Sequence, residues 1–147
     1  MGFGVKLLMA GNIFIYRLSR GRVGDRLASQ SILLLNTTGR RSGKTFTTPL
    51  NYYRDGEDFI LVASNWGNEH NPGWFYNLIN QEEAVVQVKD RPITVHASVI
   101  EGEDYERLWQ LVTEKNAFYK KYQSKTRRRI PLVRLASKER DDGELHL

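Results

Sequence analysis

Two strand-forming runs flank an Asp-Gly pair in this chain, and that arrangement limits the fold more than any other feature of the sequence. Thr45-Phe-Thr-Thr-Pro-Leu-Asn-Tyr-Tyr53 is rich in β-branched and aromatic residues, Asp55-Gly56 supplies a turn, and Asp58-Phe-Ile-Leu-Val-Ala63 is a second apolar run. Asp-Gly between such runs predicts a tight hairpin, because glycine accepts the positive φ that two-residue turns need. Upstream, Ser31-Ile-Leu-Leu-Leu-Asn-Thr37 reads as a buried strand. Downstream, Asn71-Pro72 offers a capping residue and a proline at the first helical position, opening a short helix through Asn80. Strands then fit Ala84–Lys89 and Ile93–Glu101, separated by Asp90-Arg91-Pro92. Tyr105, Leu108, Trp109 and Val112 recur at helical spacing and predict an amphipathic helix running to about Tyr119, with Trp109 in the core, before a last strand at Ile130–Leu135.

Strict β–α–β alternation is missing from this order, which argues against a doubly wound parallel sheet. The economical solution is a mainly β domain with flanking helices (α+β class): a small, mostly antiparallel barrel, since closure removes sheet edges. We expect one barrel domain over residues 31–136, preceded by a helix and connector at 1–30 and followed by a charged, disordered tail at 137–147. The apolar stretch Val5–Leu18 is interrupted by Lys6, Gly11-Asn12 and Arg17, so it is not expected to span a bilayer or to act as a signal peptide. Its apolar residues lie on more than one side, which suits a partner subunit or peripheral contact with a membrane surface.

With no cysteine in the sequence, disulfides, thiolate metal sites and cysteine nucleophiles are excluded, and a reducing, cytoplasmic compartment is expected. His70, His96 and His146 are too far apart in sequence to form a helical metal pair, so no metal site is expected. A net charge of +5 asks for an anionic ligand. The basic residues fall in three short clusters, Arg17–Arg26, Arg40–Lys44 and Lys120–Arg129. That distribution suits local anion sites better than a nucleic-acid stripe, and no nucleic-acid partner is expected.

Thr38-Gly-Arg-Arg-Ser-Gly-Lys-Thr45 invites comparison with a nucleotide-binding P-loop. Only three residues separate Gly39 from Gly43 where that loop has four, and Phe46-Thr-Thr-Pro49 favours a strand where the loop requires a helix. An idle, solvated hairpin turn is the plain alternative. The chemistry of a phosphate or carboxylate site is nevertheless present: two glycines free backbone N–H groups to converge, Ser42 adds a hydroxyl, and Arg40, Arg41 and Lys44 add charged donors.

Five blocks in one order resemble the deazaflavin-dependent nitroreductase and quinone reductase family. They are Leu-Asn-Thr-Thr-Gly-Arg-Arg-Ser-Gly-Lys (35–44), Thr-Thr-Pro-Leu (47–50), Val-Ala-Ser-Asn-Trp-Gly (62–67), Asn-Pro-Gly-Trp-Phe-Tyr-Asn-Leu (71–78) and Tyr-Gln-Ser-Lys-Thr-Arg-Arg-Arg-Ile-Pro (122–131). The resemblance runs from about Arg17 to Leu135. It implies a split β-barrel of the FMN-binding type and the cofactor F420, a 5-deazaflavin with a phosphate and an oligoglutamate tail. By the same resemblance, Arg40, Arg41, Ser42, Gly43 and Lys44 meet the phosphate and tail, and Thr48 and Pro49 border the ring. Ala63, Ser64, Asn65, Trp66 and Gly67 form the facing loop, and Pro72, Trp74 and Asn77 brace the site. Many members carry arginine two positions before the Thr-Pro pair, where this chain has Phe46; that contact is then missing, or comes from Arg41 or from one of Arg127–Arg129.

Deazaflavin chemistry is hydride transfer, so the protein mainly positions the acceptor. Ser64 is the residue expected to hydrogen-bond the acceptor oxygen. Trp66, Tyr119 and Tyr122 are the expected walls around a flat small-molecule substrate, a quinone or nitroaromatic. Tyr119 and Tyr122 also lie at helical spacing with Phe118, and residues so placed are more often core than pocket. A non-catalytic deazaflavin or lipid/fatty-acid carrier on the same barrel, or an FMN- or haem-binding protein, are the competing expectations. Either a monomer or a homodimer suits the sequence.

Overall fold

A computed structural model describes residues 31–138 of the chain. The expected N-terminal helix and connector, and the expected tail from residue 139 onward, lie outside the described residues. Seven strands form one sheet: β1 (Ile32–Thr38), β2 (Thr45–Asn51), β3 (Tyr53–Asp55), β4 (Asp58–Val62), β5 (Glu83–Val88), β6 (Arg91–Val99) and β7 (Leu132–Ser137). Three α-helices join them: α1 (Gly73–Asn80), α2 (Gly102–Lys115) and α3 (Phe118–Lys125), with a 3₁₀ turn at Asn65–Gly67. The sheet order is β2-β1-β5-β6-β7-β4-β3, and every strand pairing within it is antiparallel.

That order has a topological consequence. The run expected as one strand, Thr45–Tyr53, breaks at Tyr52, whose N–H donates to the Ser31 carbonyl at 2.9 Å. The part before the break pairs with β1 at one end of the sheet, and the part after it pairs with β4 at the other. One residue cannot span a flat seven-stranded sheet, so the sheet curls until its two ends meet. The result is a half-open, split barrel, with β2 brought near β4 across the gap but not paired with it.

Side-chain alternation along the strands divides the core in two. Phe59 and Leu61 of β4, with Val133 and Leu135 of β7, join Leu33, Leu35, Val86, Val95 and the α1 residues Trp74, Phe75 and Leu78 in one cluster. Ile60 and Val62 of β4, with Leu132, face the other way onto Tyr105, Leu108 and Val112 of α2 and Tyr119 of α3. Trp109 is half-buried at the edge of this second cluster, stacked on Tyr105 with ring centroids 6.1 Å apart.

Several boundaries differ from the sequence-based expectation, three of them for clear physical reasons. The β5–β6 turn is Lys89-Asp90, both at positive φ (49° and 67°), and Pro92 lies inside β6 opposite Gln87. Proline is tolerated there because β6 meets β7 only from Val95 onward, so its missing N–H costs no ladder bond on that side. The expected long helix stops at Lys115, and the side-chain oxygen of Asn116 accepts the Phe118 N–H at 3.0 Å to start α3. Finally, β7 includes Ala136 and Ser137, which pair with His96 and Val95, so the barrel ends beyond residue 136.

The hairpin at Asp55 is tied from outside. Arg107 of α2 makes a two-pronged contact with the Asp55 carboxylate at 3.0 Å on both oxygens, and Arg134 of β7 bridges Asp55 and Asp58 at 2.9 Å each. The Arg107 hydrogen bond, aided by Arg134, outweighs burial and holds the Asp55 carboxyl down at about 2 from its ordinary 3.8. A depressed folded-state pKa gives stability that is fully present above the unfolded value and lost as pH falls through the folded one. Stability to denaturant should therefore decline from about pH 3.8 toward pH 2. In Arg107→Ala, Asp55 followed by carboxyl NMR should titrate closer to its ordinary value; a wild-type midpoint already there would remove the claim.

Candidate functional site

The β1–β2 hairpin closes between Thr38 and Thr45, and its turn carries the basic cluster. Gly39 N–H donates to the Lys44 carbonyl at 2.7 Å, Gly43 N–H to the Gly39 carbonyl at 2.9 Å, and Lys44 N–H to the Ser42 hydroxyl at 3.2 Å. These donors close the turn on itself, so they do not converge on an anion as the two glycines had led us to expect. Charged side chains remain. Arg40 and Arg41, with Ser42, line a cleft of about 540 Å³ that also touches Thr37, Phe46, Thr48, Trp74 and Asn77. Among the described residues no carboxylate lines it, so the charge these residues bring to the cleft is positive. Gly43 and Lys44 are outside its lining.

Asn77 fixes the turn from behind. Its side-chain oxygen accepts the Arg40 N–H at 3.2 Å, and its amide nitrogen donates to the Thr37 hydroxyl at 3.2 Å, joining α1 to the end of β1 and to the turn. The Arg40 guanidinium lies 4.9 Å from the centre of the Tyr76 ring on the same helix. Phe46, the residue standing where many relatives of this pattern have arginine, packs over Gly39 and remains half-exposed on the cleft wall.

Through Thr48 and Trp74 this cleft adjoins a second cavity of about 650 Å³. Thr48 and Pro49 of β2 form one side of it, Leu61, Val62, Ser64, Asn65 and Trp66 another, and Pro72, Tyr119 and Tyr122 complete it. The cavity thus lies over the gap between β2 and β4. Ala63 and Gly67, expected in the ring-facing loop, do not line it. Ala63 is wholly buried in the first core cluster. Gly67 abuts α3, where a Cβ would stand 2.7 Å from the Tyr122 carbonyl oxygen.

Tyr119 belongs to the second core cluster and also lines the cavity. Its hydroxyl is 2.9 Å from that of Tyr53. Burial, reinforced by Tyr53, pushes its pKa well above the ordinary tyrosine value, so it stays protonated at any working pH. Trp66 is 72% exposed at the rim, with its ring edge-on to Tyr122 at 5.9 Å.

The sequence reading missed the main work of Arg128. Its guanidinium donates to the carbonyls of Ala63 (3.2 Å), Ser64 (2.7 Å) and Asn68 (2.9 Å) and to the side-chain oxygen of Asn71 (2.6 Å). Asn71 is therefore occupied by Arg128 and does not cap α1; Pro72, with an extended ψ of 154°, precedes the helix. Arg129 is also engaged elsewhere, over the Tyr105 ring at 3.4 Å and beside Glu106. Neither Arg128 nor Arg129 is placed to replace an arginine at position 46. The only sequence signal for Arg128 was its position just before Ile130-Pro131, in a block already singled out.

The described residues thus form a half-open, split antiparallel barrel with an arginine-bearing cleft running into an aromatic cavity at its opening. The profile of the F420H(2)-dependent quinone reductase family matches residues 9–137. The chain belongs to that family, and with it to the F420-dependent oxidoreductases expected from the sequence. It is 41% identical over 134 residues to the F420H(2)-dependent quinone reductase Rv1261c of Mycobacterium tuberculosis, covering 88% of this chain and 89% of that one. A solved structure described as F420-H2 Dependent Reductase (FDR-A) superimposes with a TM-score of 0.65 at 34% identity, over 71% of this chain and 92% of that chain. The haem storage protein HutZ of Vibrio cholerae shares the fold alone, with a TM-score of 0.58 at 13% identity over 80% of this chain and 89% of that one.

Proposed function

We propose that the two joined cavities seat reduced F420 and a quinone, with the anionic tail in the arginine cleft and the ring system over the barrel opening. The continuity of an arginine-bearing cleft, lined by no carboxylate among the described residues, with an aromatic-walled cavity through Thr48 and Trp74 carries this reading. A long ligand with one charged and one flat end fits that sequence of surfaces. Arg40, Arg41 and Ser42 would hold phosphate and carboxylate oxygens by charge-assisted hydrogen bonds. Pro49, Val62 and Trp74 offer flat or apolar contact to the ring. When bound, reduced F420 supplies the hydride.

The chain's own contribution to the chemistry is positional. Ser64 sits on the cavity wall, where its hydroxyl can donate to a quinone oxygen as negative charge develops there. Trp66 and Tyr122 cover the outer side and exclude water from the acceptor face. Tyr119, kept neutral by burial and paired through its hydroxyl with Tyr53, adds a rigid aromatic wall to the same cavity.

Arg40→Ala combined with Arg41→Ala should weaken F420 binding by about 100-fold, with little change for a tail-less deazaflavin fragment. Titration by F420 absorbance checks this; equal losses for both ligands would remove the tail from the cleft. Bound F420H2 that no quinone or nitroaromatic oxidises would instead favour a carrier.

A solved neighbour, 34% identical with a TM-score of 0.65 over 71% of this chain and 78% of its own, is described as a domain-swapped dimer. It supports self-association of this chain as well, and exposed Ile79 and Val99 beside a small apolar groove offer a surface for it. Sedimentation of the full chain tests this. Among the described residues no helix is long and apolar enough to cross a membrane. Peripheral contact through residues 1–30 remains a proposal, tested by vesicle co-flotation.

A further inference from the structure

We infer that Gln123 and Arg128 form a latch that fixes the width of the ring cavity and thereby limits the size of acceptor it admits. Two adjoining walls of this cavity are the loop bearing Ser64, Asn65 and Trp66 and helix α3 bearing Tyr119 and Tyr122, which meet where Gly67 abuts Tyr122 and the Trp66 ring stands edge-on to Tyr122. No strand ladder joins them. A chain of hydrogen bonds does. The side-chain amide of Gln123, on α3, donates to the Arg128 carbonyl at 2.7 Å, and its oxygen accepts the Ile130 N–H at 2.9 Å. From the same short segment the Arg128 guanidinium reaches the adjoining wall, bonding the carbonyls of Ser64 and Asn68 at 2.7 and 2.9 Å.

Those two carbonyls bracket a strained turn. Asn65, Trp66 and Gly67 stand in succession at φ of 45°, 60° and 81°, and two of them are not glycine. Such backbone persists only where its surroundings over-determine it. The bonds from Arg128 on both sides of the turn, and the bond from the Asn65 side chain to the His70 carbonyl at 2.8 Å, supply that restraint. The guanidinium is partly buried in this position, and burial lowers its pKa. The walls are held as close as the backbone allows, since a Cβ on Gly67 would already overlap the Tyr122 backbone.

Arg128 and Gln123 belong to neither apolar cluster, so their loss should free the walls while leaving the barrel intact. Both are positioning residues: they act on the acceptor through Ser64, Trp66, Tyr119 and Tyr122. The acceptor part of this inference rests on the proposed function, whereas the mechanical part does not.

The test uses the full chain as Arg128→Ala, Arg128→Lys and Gln123→Ala. In the ligand-free proteins, amide hydrogen exchange at residues 65–68 and 118–125 should accelerate together by about tenfold or more, with the strand amides unchanged. With F420H2 and a graded set of one-, two- and three-ring quinones, KM for the smallest should rise about tenfold. Discrimination against the largest should shrink, and the affinity for F420 should hold within about threefold. Lysine should not rescue, because it lacks the planar fork that reaches several carbonyls at once. Added guanidinium should partly restore Arg128→Ala. Unchanged exchange in both segments would overturn the latch, and unchanged size discrimination despite faster exchange would overturn the claim about width. If Arg128→Ala fails to show a cooperative melt, Gln123→Ala is judged by the same two criteria. A wild-type chain that reduces no quinone would defeat the proposed function, and the latch would then stand or fall on exchange alone.

Discussion

Gly67→Ala should destabilise the protein by about 2–5 kcal/mol, the sum of a strained backbone and an overlap that cannot relax. The φ of 81° at this position is unfavourable for any residue with a side chain. The added methyl would also stand 2.7 Å from the carbonyl oxygen and 3.0 Å from the Cα of Tyr122, and 3.1 Å from the Cβ of Lys125. Two of these three neighbours are backbone atoms of α3, so the helix itself would have to move. Gly43 is the internal control: its φ of 72° is similar, but an added Cβ meets nothing within 4 Å. Gly43→Ala should cost only about 1 kcal/mol. Urea denaturation of the two variants separates strain from collision, and equal losses would show that α3 does not press on this turn. Loss of the Trp66–Tyr122 contact should accompany the larger effect, visible as a change in tryptophan emission.

Asn77→Leu should lower stability by about 1–3 kcal/mol and weaken F420 binding by about tenfold or more, because a side chain of similar volume removes both hydrogen bonds. The Arg40 N–H and the Thr37 hydroxyl would lose the partner that now ties them to α1. Asn77→Asp divides the two effects. It keeps an acceptor for the Arg40 N–H but places a carboxylate in a cleft that has none among the described residues. Its stability should fall less than that of Asn77→Leu, because the Arg40 N–H keeps its acceptor and the Thr37 hydroxyl can donate to the carboxylate, while its affinity for the anionic cofactor falls and recovers in part at high salt. An Asn77→Leu variant with parental stability and parental affinity would mean that the turn holds its shape without α1.

Much of this arrangement could be read from residue patterns, and the exceptions have physical causes. The antiparallel order followed from hairpin signals such as Asp55-Gly56, where the turn is local chemistry. The break at Tyr52 was hidden because β-branched and aromatic residues run straight through it; the switch of sheet ends depends on a distant pairing between β4 and β7. The helix break at Asn116 had a signal, a side chain able to cap the next helix, but the aromatic spacing on both sides favoured continuity. For the site, Arg40, Arg41, Ser42, Thr48, Pro49, Ser64, Asn65, Trp66, Pro72, Trp74, Asn77, Tyr119 and Tyr122 all reach one of the two cavities. Gly43, Lys44, Ala63 and Gly67 support the shape without touching the space. Arg128 was illegible because its partners are mostly backbone carbonyls, which any sequence possesses.

The gap between β2 and β4 carries a hazard as well as a ligand site. A strand paired on one side only presents unpaired N–H and C=O groups that another chain could extend. Pro49, opposite Leu34 in β2, interrupts that row because it has no N–H to offer. Thr48 and Pro49 also border the ring cavity, so the strand that blunts the open edge also serves the cleft. Closing the barrel with one more pair of ladder bonds would protect the edge better and would abolish the cavity. The chain is held between aggregation and binding at the same two residues.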